Sequence, residues 1–170
     1  MTTPPPRANE PVIVYGGGAI TAQYIVQLLA IAGYKRVIVA ASTTHHPALH
    51  ALGAWKCIDY RVGEAAFAEA VLAVSNGEKV KLAVDVIAAT PTLSALSKVI
   101  GEEGANIAVL MPVKEGNEIA GDGVGKMHLE VPKWVEEMLP GVAIKPVYAL
   151  KAQQVSFIVA HFLYFIANDG

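Results

Sequence analysis

Apolar residues recur along this chain in two rhythms, short β-branched runs and longer stretches spaced by three and four, and the alternation persists as far as Leu110. Val12 to Tyr15 is a short run that meets Gly16, Gly17 and Gly18. Ile20 to Ala32 then carries helical spacing and stops at Gly33, which predicts strand, turn and helix. Arg36 to Ala41 predicts a second strand and Ser42 to His46 a polar loop. Pro47 suits the first turn of a short helix ending at Gly53. A third strand is expected at Lys56 to Asp59. Ala65 to Val74 follows as an alanine-rich helix closed by Ser75, Asn76 and Gly77, and Lys81 to Ile87 as a nearly continuous apolar strand. Thr90 and Pro91 suit the N-cap and first position of a helix to Ile100, after which Gly101 and Gly104 turn the chain into a strand at Asn106 to Leu110. Pro112 to Gly125 loses periodicity and reads as an irregular loop. A helix at Lys133 to Leu139 and a sixth strand at Ile144 to Tyr148 complete the pattern.

Strands alternating with helices in one chain predict an α/β fold, a Rossmann-type doubly wound parallel sheet of about six strands with helices on both faces. Composition agrees: 54% of residues are hydrophobic and only 16% charged, as strands buried on both faces require. The length of 170 residues suits a single domain, expected over residues 11–170, with residues 1–10 as a proline-rich linker. That opening stretch has no apolar core and does not read as a signal peptide. Val155 to Ala167 is the most apolar stretch, yet it contains His161 and falls short of the roughly 20 residues that span a bilayer. It reads as a buried helix, not a membrane span. Being apolar on nearly all sides, it and Trp134 call for a covering surface, and a homo-oligomer is expected.

Thirteen basic and fifteen acidic residues leave a net charge of -2 without a basic run, which argues against a nucleic-acid partner. The single cysteine, Cys57, cannot form an internal disulfide, so the cytosol is the default compartment and a small core residue its plain role. His46 and His50 are four apart with His45 adjacent, but no third ligand is in view, and a polar surface cluster is the better reading. His128 and His161 stand isolated. No tyrosine is followed by lysine four residues on, and neither a Gly-x-Ser-x-Gly elbow nor a phosphate-binding Gly-x-x-x-x-Gly-Lys loop is present. The paired glutamates Glu102-Glu103 and Glu136-Glu137 suit solvated surfaces. No catalytic residue and no metal ligand is assigned.

The glycine triplet carries the clearest chemical signal. In a doubly wound sheet the turn after the first strand aims backbone N–H groups at a phosphate, and the next helix adds the positive end of its dipole. Two registers of the dinucleotide fingerprint fit, one placing Gly17, Ala19 and Ala22 at the key positions and the other Gly16, Gly18 and Thr21. An acid at the end of the second strand would bind a ribose diol and repel a 2′-phosphate. The chain instead has Ala40-Ala41-Ser42-Thr43-Thr44-His45, whose hydroxyls and imidazole suit a phosphate.

These residues resemble the cofactor domain of medium-chain dehydrogenase/reductases, in particular the zinc-independent quinone-reductase and fungal trans-acting enoyl-reductase branch. The resemblance runs from Pro11 to about Val113. It rests on Val14-Tyr15-Gly16-Gly17, Gln23-Tyr24-Ile25-Val26-Gln27-Leu28, Ala32-Gly33-Tyr34, Ser42, Leu52-Gly53-Ala54, Asp59-Tyr60-Arg61 and Leu82-Ala83-Val84-Asp85-Val86-Ile87. It implies NADPH as cofactor, with NADH the alternative. Gly18, Ala19, Ile20 and Thr21 would lie along the pyrophosphate, Ser42 and Tyr60 against the 2′-phosphate, and Val86, Ile87, Leu110 and Met111 toward the nicotinamide. The chain departs from the family's usual hydroxyl at 18, glycine at 22 and basic residue at 44, where it has Gly18, Ala22 and Thr44. The family also carries a catalytic domain before this one, where this sequence has only the proline-rich stretch. The expectation is therefore an NADP(H)-binding domain inactive alone for lack of its catalytic domain. Two further classes stay open, a non-enzymatic dinucleotide binder or sensor and an S-adenosylmethionine-dependent methyltransferase. The second usually has an acid where this chain has Ser42.

Overall fold

Valine, isoleucine and alanine fill the segments that pair as strands, because β-branched side chains pack well on a pleated surface covered on both sides. The computed structural model describes residues 5–101, 103–116 and 125–148. In chain order the elements are β1 (Pro11–Tyr15), α1 (Ile20–Ala32), β2 (Arg36–Ala40), α2 (His46–Ala51), β3 (Lys56–Ile58), α3 (Glu64–Val74), β4 (Leu82–Asp85), α4 (Thr90–Ser97), β5 (Asn106–Met111), β6 (Val113–Lys114), β7 (Met127–His128), α5 (Lys133–Met138) and β8 (Ala143–Tyr148). Six strands form one sheet in the order β3-β2-β1-β4-β5-β8. Every neighbouring pair is parallel, with Val12 beside both Val37 and Leu82 and Ile107 beside Ile144. This is the expected Rossmann-type sheet.

Side-chain alternation sorts the strands onto two cores. Val12, Val14, Val37, Val39, Leu82 and Val84 face α1 and α2, meeting Ala22, Val26, Leu29 and Leu49. Ile13, Ile38, Ala83, Ile107 and Val109 point the other way, onto Phe67 and Val71 of α3, Leu93 and Leu96 of α4, and Val135 of α5. The chain steps outward from β1 through β2 to β3 and then returns to place β4 on the other side of β1. That reversal opens a crevice at the C-terminal ends of β1 and β4, where ligands of such sheets bind.

Local chemistry departs from the sequence pattern in several places. The loop after Pro112 contains a short antiparallel pair, Val113–Lys114 with Met127–His128, too brief to leave a periodic trace. Thr90 opens α4 and does not cap it. The extended N-cap is Ala89, whose N–H donates to Thr92 Oγ1, while Thr90 Oγ1 accepts the Gly116 N–H. Helix α4 ends at Ser97, short of Ile100, which instead bridges to Val80. Trp134 is half-buried against the second core, and His128 pairs with Glu115 at 2.6 Å. Ala8 is buried and its carbonyl accepts the Lys35 N–H. The outward side of α1 carries Ile20, Tyr24 and Ile31, all largely exposed. Among the described residues no helix is long and apolar enough to cross a membrane. Val155 to Ala167, with His161, lies outside the described residues.

Candidate functional site

Strand β1 ends at Tyr15, and the chain must reverse into α1 within four residues. Gly16 makes the turn with φ +96°, a backbone region that side chains disfavour. Both the Gly16 and Gly17 N–H groups donate to the Ala40 carbonyl, at 3.1 and 2.9 Å, tying the turn to the end of β2. A Cβ at Gly17 would fall 2.5 Å from Val39 Cγ1, so this glycine serves close packing of turn on sheet. Gly18 is exposed, and a Cβ there would meet only the His45 ring, at 3.0 Å. The three glycines thus divide the work. Gly16 turns the chain, Gly17 packs, and Gly18 leaves the backbone open to an approaching group.

Ala19 is the N-cap of α1 and supplies no side-chain cap, and the first turn holds no acidic residue. By helix geometry the amides of Ile20, Thr21 and Ala22 lack intrahelical acceptors, and the dipole favours an anion there. Facing this turn is the loop after β2. Ser42 begins a single 3₁₀ turn at Thr43–His45, and its side chain makes no cap hydrogen bond. His46 and His50 are engaged elsewhere, their rings bonded to the carbonyls of Ala41 (3.0 Å) and Ala54 (2.9 Å). Among the described residues no three His, Cys, Asp or Glu side chains gather as metal ligands. Cys57 sits half-buried in β3, and burial pushes its thiol up to about 11, which leaves it a protonated packing residue.

A cavity of about 190 Å³ lies between these elements, lined by Tyr15, Gly16, Gly18, Ala19, Ser42, His45, Tyr60 and Ile87. It is smaller than the roughly 300–1,000 Å³ of a pocket enclosing a whole small ligand, so it suits one segment of an extended one. Of the residues singled out from sequence, Gly16, Gly18, Ala19, Ser42, Tyr60 and Ile87 meet here. Ile20 and Thr21 stand exposed at the helix start beside it, and Gly17 lies buried beneath. Val86 is buried, and its Cγ2 would be 2.7 Å from a Cβ on Gly16. Leu110 and Met111 end the neighbouring strand β5 and do not line this cavity. Of the four residues that the resemblance assigns to the nicotinamide side, Ile87 lines this cavity.

Two lining residues carry no cofactor assignment from the sequence: Tyr15, which only marks the resemblance, and His45, which belongs to the phosphate-suited run after β2. Tyr15 stacks obliquely on Tyr60 at 5.9 Å and edge-on to Phe67 at 5.6 Å. Burial, then the charge of Asp85, raise its phenol, so it stays protonated. Beneath the cavity Asp85 is fully buried. Its carboxylate accepts the N–H groups of Ile87 and Ala88, both at 2.9 Å, and the Thr92 hydroxyl at 2.5 Å. Lys114 Nζ donates to the Ile87 carbonyl at 2.8 Å from the other side. The turn that presents Val86 and Ile87 is therefore held from both ends.

At the outer rim Asp59 accepts from its near neighbour Arg61, backbone N–H at 3.0 Å and side chain Nε and Nη2 at 2.9 and 2.8 Å. These bonds to Arg61 hold the Asp59 carboxyl down at about 2. A carboxyl lowered on folding contributes stability that is present above its unfolded value of roughly 4 and disappears as pH falls through its folded value. The rim should hence persist in mild acid. An NMR titration of the Asp59 carboxyl is expected to show a midpoint near 2, and a midpoint near 4 would mean that the pair does not form in solution.

No family model matches the chain. The trans-enoyl reductase iccB of Talaromyces variabilis is 30% identical over 109 residues, 64% of this chain and 28% of that protein. The dual trans-enoyl reductase/FAD-dependent monooxygenase tazHJ of Aspergillus terreus is 26% identical over 114 residues, 66% of this chain and 16% of its own length. The chain therefore spans under a third of these relatives. Among solved structures the CurK enoyl reductase superimposes with a TM-score of 0.66 at 19% identity, covering 96% of this chain and 43% of its own. Mycobacterial Rv1454c complexed with NADPH gives 0.63 at 16% identity, covering 95% and 47%. Both show the fold that the two chains share.

Proposed function

As the chain is a homologue, over part of their length, of the fungal trans-enoyl reductases among the enoyl- and quinone-reductase-like medium-chain oxidoreductases, we propose that it forms the NADP(H)-holding part of such a reductase. The observation that carries the reading is the cavity that gathers Gly18, Ala19, Ser42, Tyr60 and Ile87 at the topological reversal of the sheet. Gly18 and the free amides of the first turn of α1 suit a pyrophosphate. The end of β2 has Ser42 in place of an acid, which favours a 2′-phosphate over a bare ribose. The bound dinucleotide would supply hydride. The chain's own part is to grip the phosphates, seat the adenosine beside Ser42 and Tyr60, and back the nicotinamide ring with apolar residues. Val86, Ile87, Leu110 and Met111 can neither donate a proton nor stabilise an enolate oxygen, so the substrate wall comes from another domain or another copy of the chain.

Calorimetric titration with NADPH, NADH and S-adenosylmethionine tests this reading. NADPH is expected to bind more tightly than NADH, with no heat from S-adenosylmethionine. NADPH oxidation with α,β-unsaturated carbonyl compounds is expected to stay near background for the 170-residue chain, since an oriented, water-excluded site needs both walls. Failure of both dinucleotides to bind would end the proposal.

A further inference from the structure

The resemblance places no cation at the 2′-phosphate, because Thr44 stands where the family has a basic residue. We propose that Arg61 supplies that charge, a cofactor-specificity residue at the rim of the cavity. The inference rests on the dinucleotide reading above and adds to it the residue that tells NADPH from NADH.

The guanidinium is held on two sides. Asp59 takes Nε and Nη2 in a fork, and Nη2 also donates to Thr43 Oγ1 at 3.1 Å. Those bonds fix the plane of the group and bridge the loop after β3 to the loop after β2. Thr43 adjoins Ser42 and Arg61 adjoins Tyr60, and Ser42 and Tyr60 both line the cavity. The bond to Thr43 thus ties the guanidinium to both chain segments that carry the residues expected at the 2′-phosphate. A guanidinium has five N–H donors, and the two on Nη1 have no partner among the described residues. The side chain is 52% exposed, so a ligand can reach them. An immobilised planar donor pair suits a phosphate better than a flexible ammonium. Asp59 acts as a positioning residue, fixing the plane of the guanidinium so that both N–H groups of Nη1 face away from it.

Titration of the full chain and of Arg61→Met and Arg61→Lys with NADPH and NADH tests this. Loss of a charge-assisted contact should weaken NADPH by about tenfold in Arg61→Met. NADH should change by less than about twofold, because it lacks the phosphate that the contact serves. Arg61→Lys should recover part of the NADPH affinity, and 2′,5′-ADP should follow NADPH where 5′-AMP follows NADH. Unchanged NADPH affinity in Arg61→Met, or equal loss for both dinucleotides, would overturn the assignment while leaving dinucleotide binding intact. If the parent chain binds neither dinucleotide, the underlying reading fails and this one with it.

Discussion

Gly16→Ala is expected to lose about 2–5 kcal/mol of stability, whereas Gly18→Ala folds normally and keeps dinucleotide binding within a few-fold. The two glycines are two residues apart and face different neighbours. At Gly16 the backbone has φ +96°, and an added Cβ would lie 2.7 Å from Val86 Cγ2 and Ile87 Cγ1. Both side chains belong to the turn after β4, which Asp85 holds fixed, so they have little room to yield. Backbone strain and overpacking each cost on the order of 1–3 kcal/mol there. At Gly18 φ is ordinary, and the added methyl meets only the tip of the His45 ring, which can rotate away. Stability should change by less than about 1 kcal/mol at such an exposed position. The resembled family usually carries a hydroxyl side chain, with its own Cβ, at this position, so the pyrophosphate should still reach the amides of α1. Thermal unfolding and calorimetry on both variants separate the roles. A stable Gly16→Ala, or a Gly18→Ala that unfolds or no longer binds NADPH, would show that the division is wrong.

How far these roles are legible in the sequence depends on the range of the interaction. The β/α alternation is plain because burial on two faces imposes a pattern on every residue of a strand or helix. The strands fall within about two residues of where that pattern places them, from Pro11–Tyr15 to Ala143–Tyr148, and the run Lys81 to Ile87 pairs only over Leu82–Asp85. The glycine triplet was legible as a turn, but its register was not. Which glycine takes positive φ depends on Val39, Leu49, Val86 and Ile87, contributed by three other segments. His45 shows in the sequence as one of the phosphate-suited groups after the second strand, and its place over Gly18 follows from the 3₁₀ turn at Thr43–His45. Thr90 matches a capping pattern, yet Thr92 does the capping because Ala89 is the extended residue. The two-residue strands β6 and β7 are shorter than any period. Asp85 left one trace, a lone acid at the end of an apolar run, and the meaning of that trace needs the partners that fold around it.

Asp85→Ala should be among the most destabilising single changes in the chain, at about 3–5 kcal/mol, with Asp85→Asn much milder. The carboxylate is fully buried and satisfies two backbone amides, Ile87 and Ala88, and the Thr92 hydroxyl. Alanine would strand the two amides, each at a cost of about 1–3 kcal/mol, while the Thr92 hydroxyl can turn to the Ala89 carbonyl at 2.9 Å. It would also release Ala88, which holds φ +54° only because the turn is pinned. Asparagine keeps an oxygen for the two amides and an amide group that the Thr92 oxygen can accept. Burial raises the Asp85 carboxyl above the ordinary range, against the lowering effect of its hydrogen bonds and of Lys114. A carboxyl raised on folding contributes stability that is fully present below its unfolded value and lost as pH rises through the folded value. The comparison between Asp85 and Asp85→Asn should therefore shift toward the asparagine variant as pH increases from acid to neutral. Urea unfolding of both variants at several pH values tests the sign and the size. Equal losses in Asp85→Ala and Asp85→Asn would mean that the ionised group, and not its three hydrogen bonds, holds the turn on which Val86 and Ile87 are presented to the cavity.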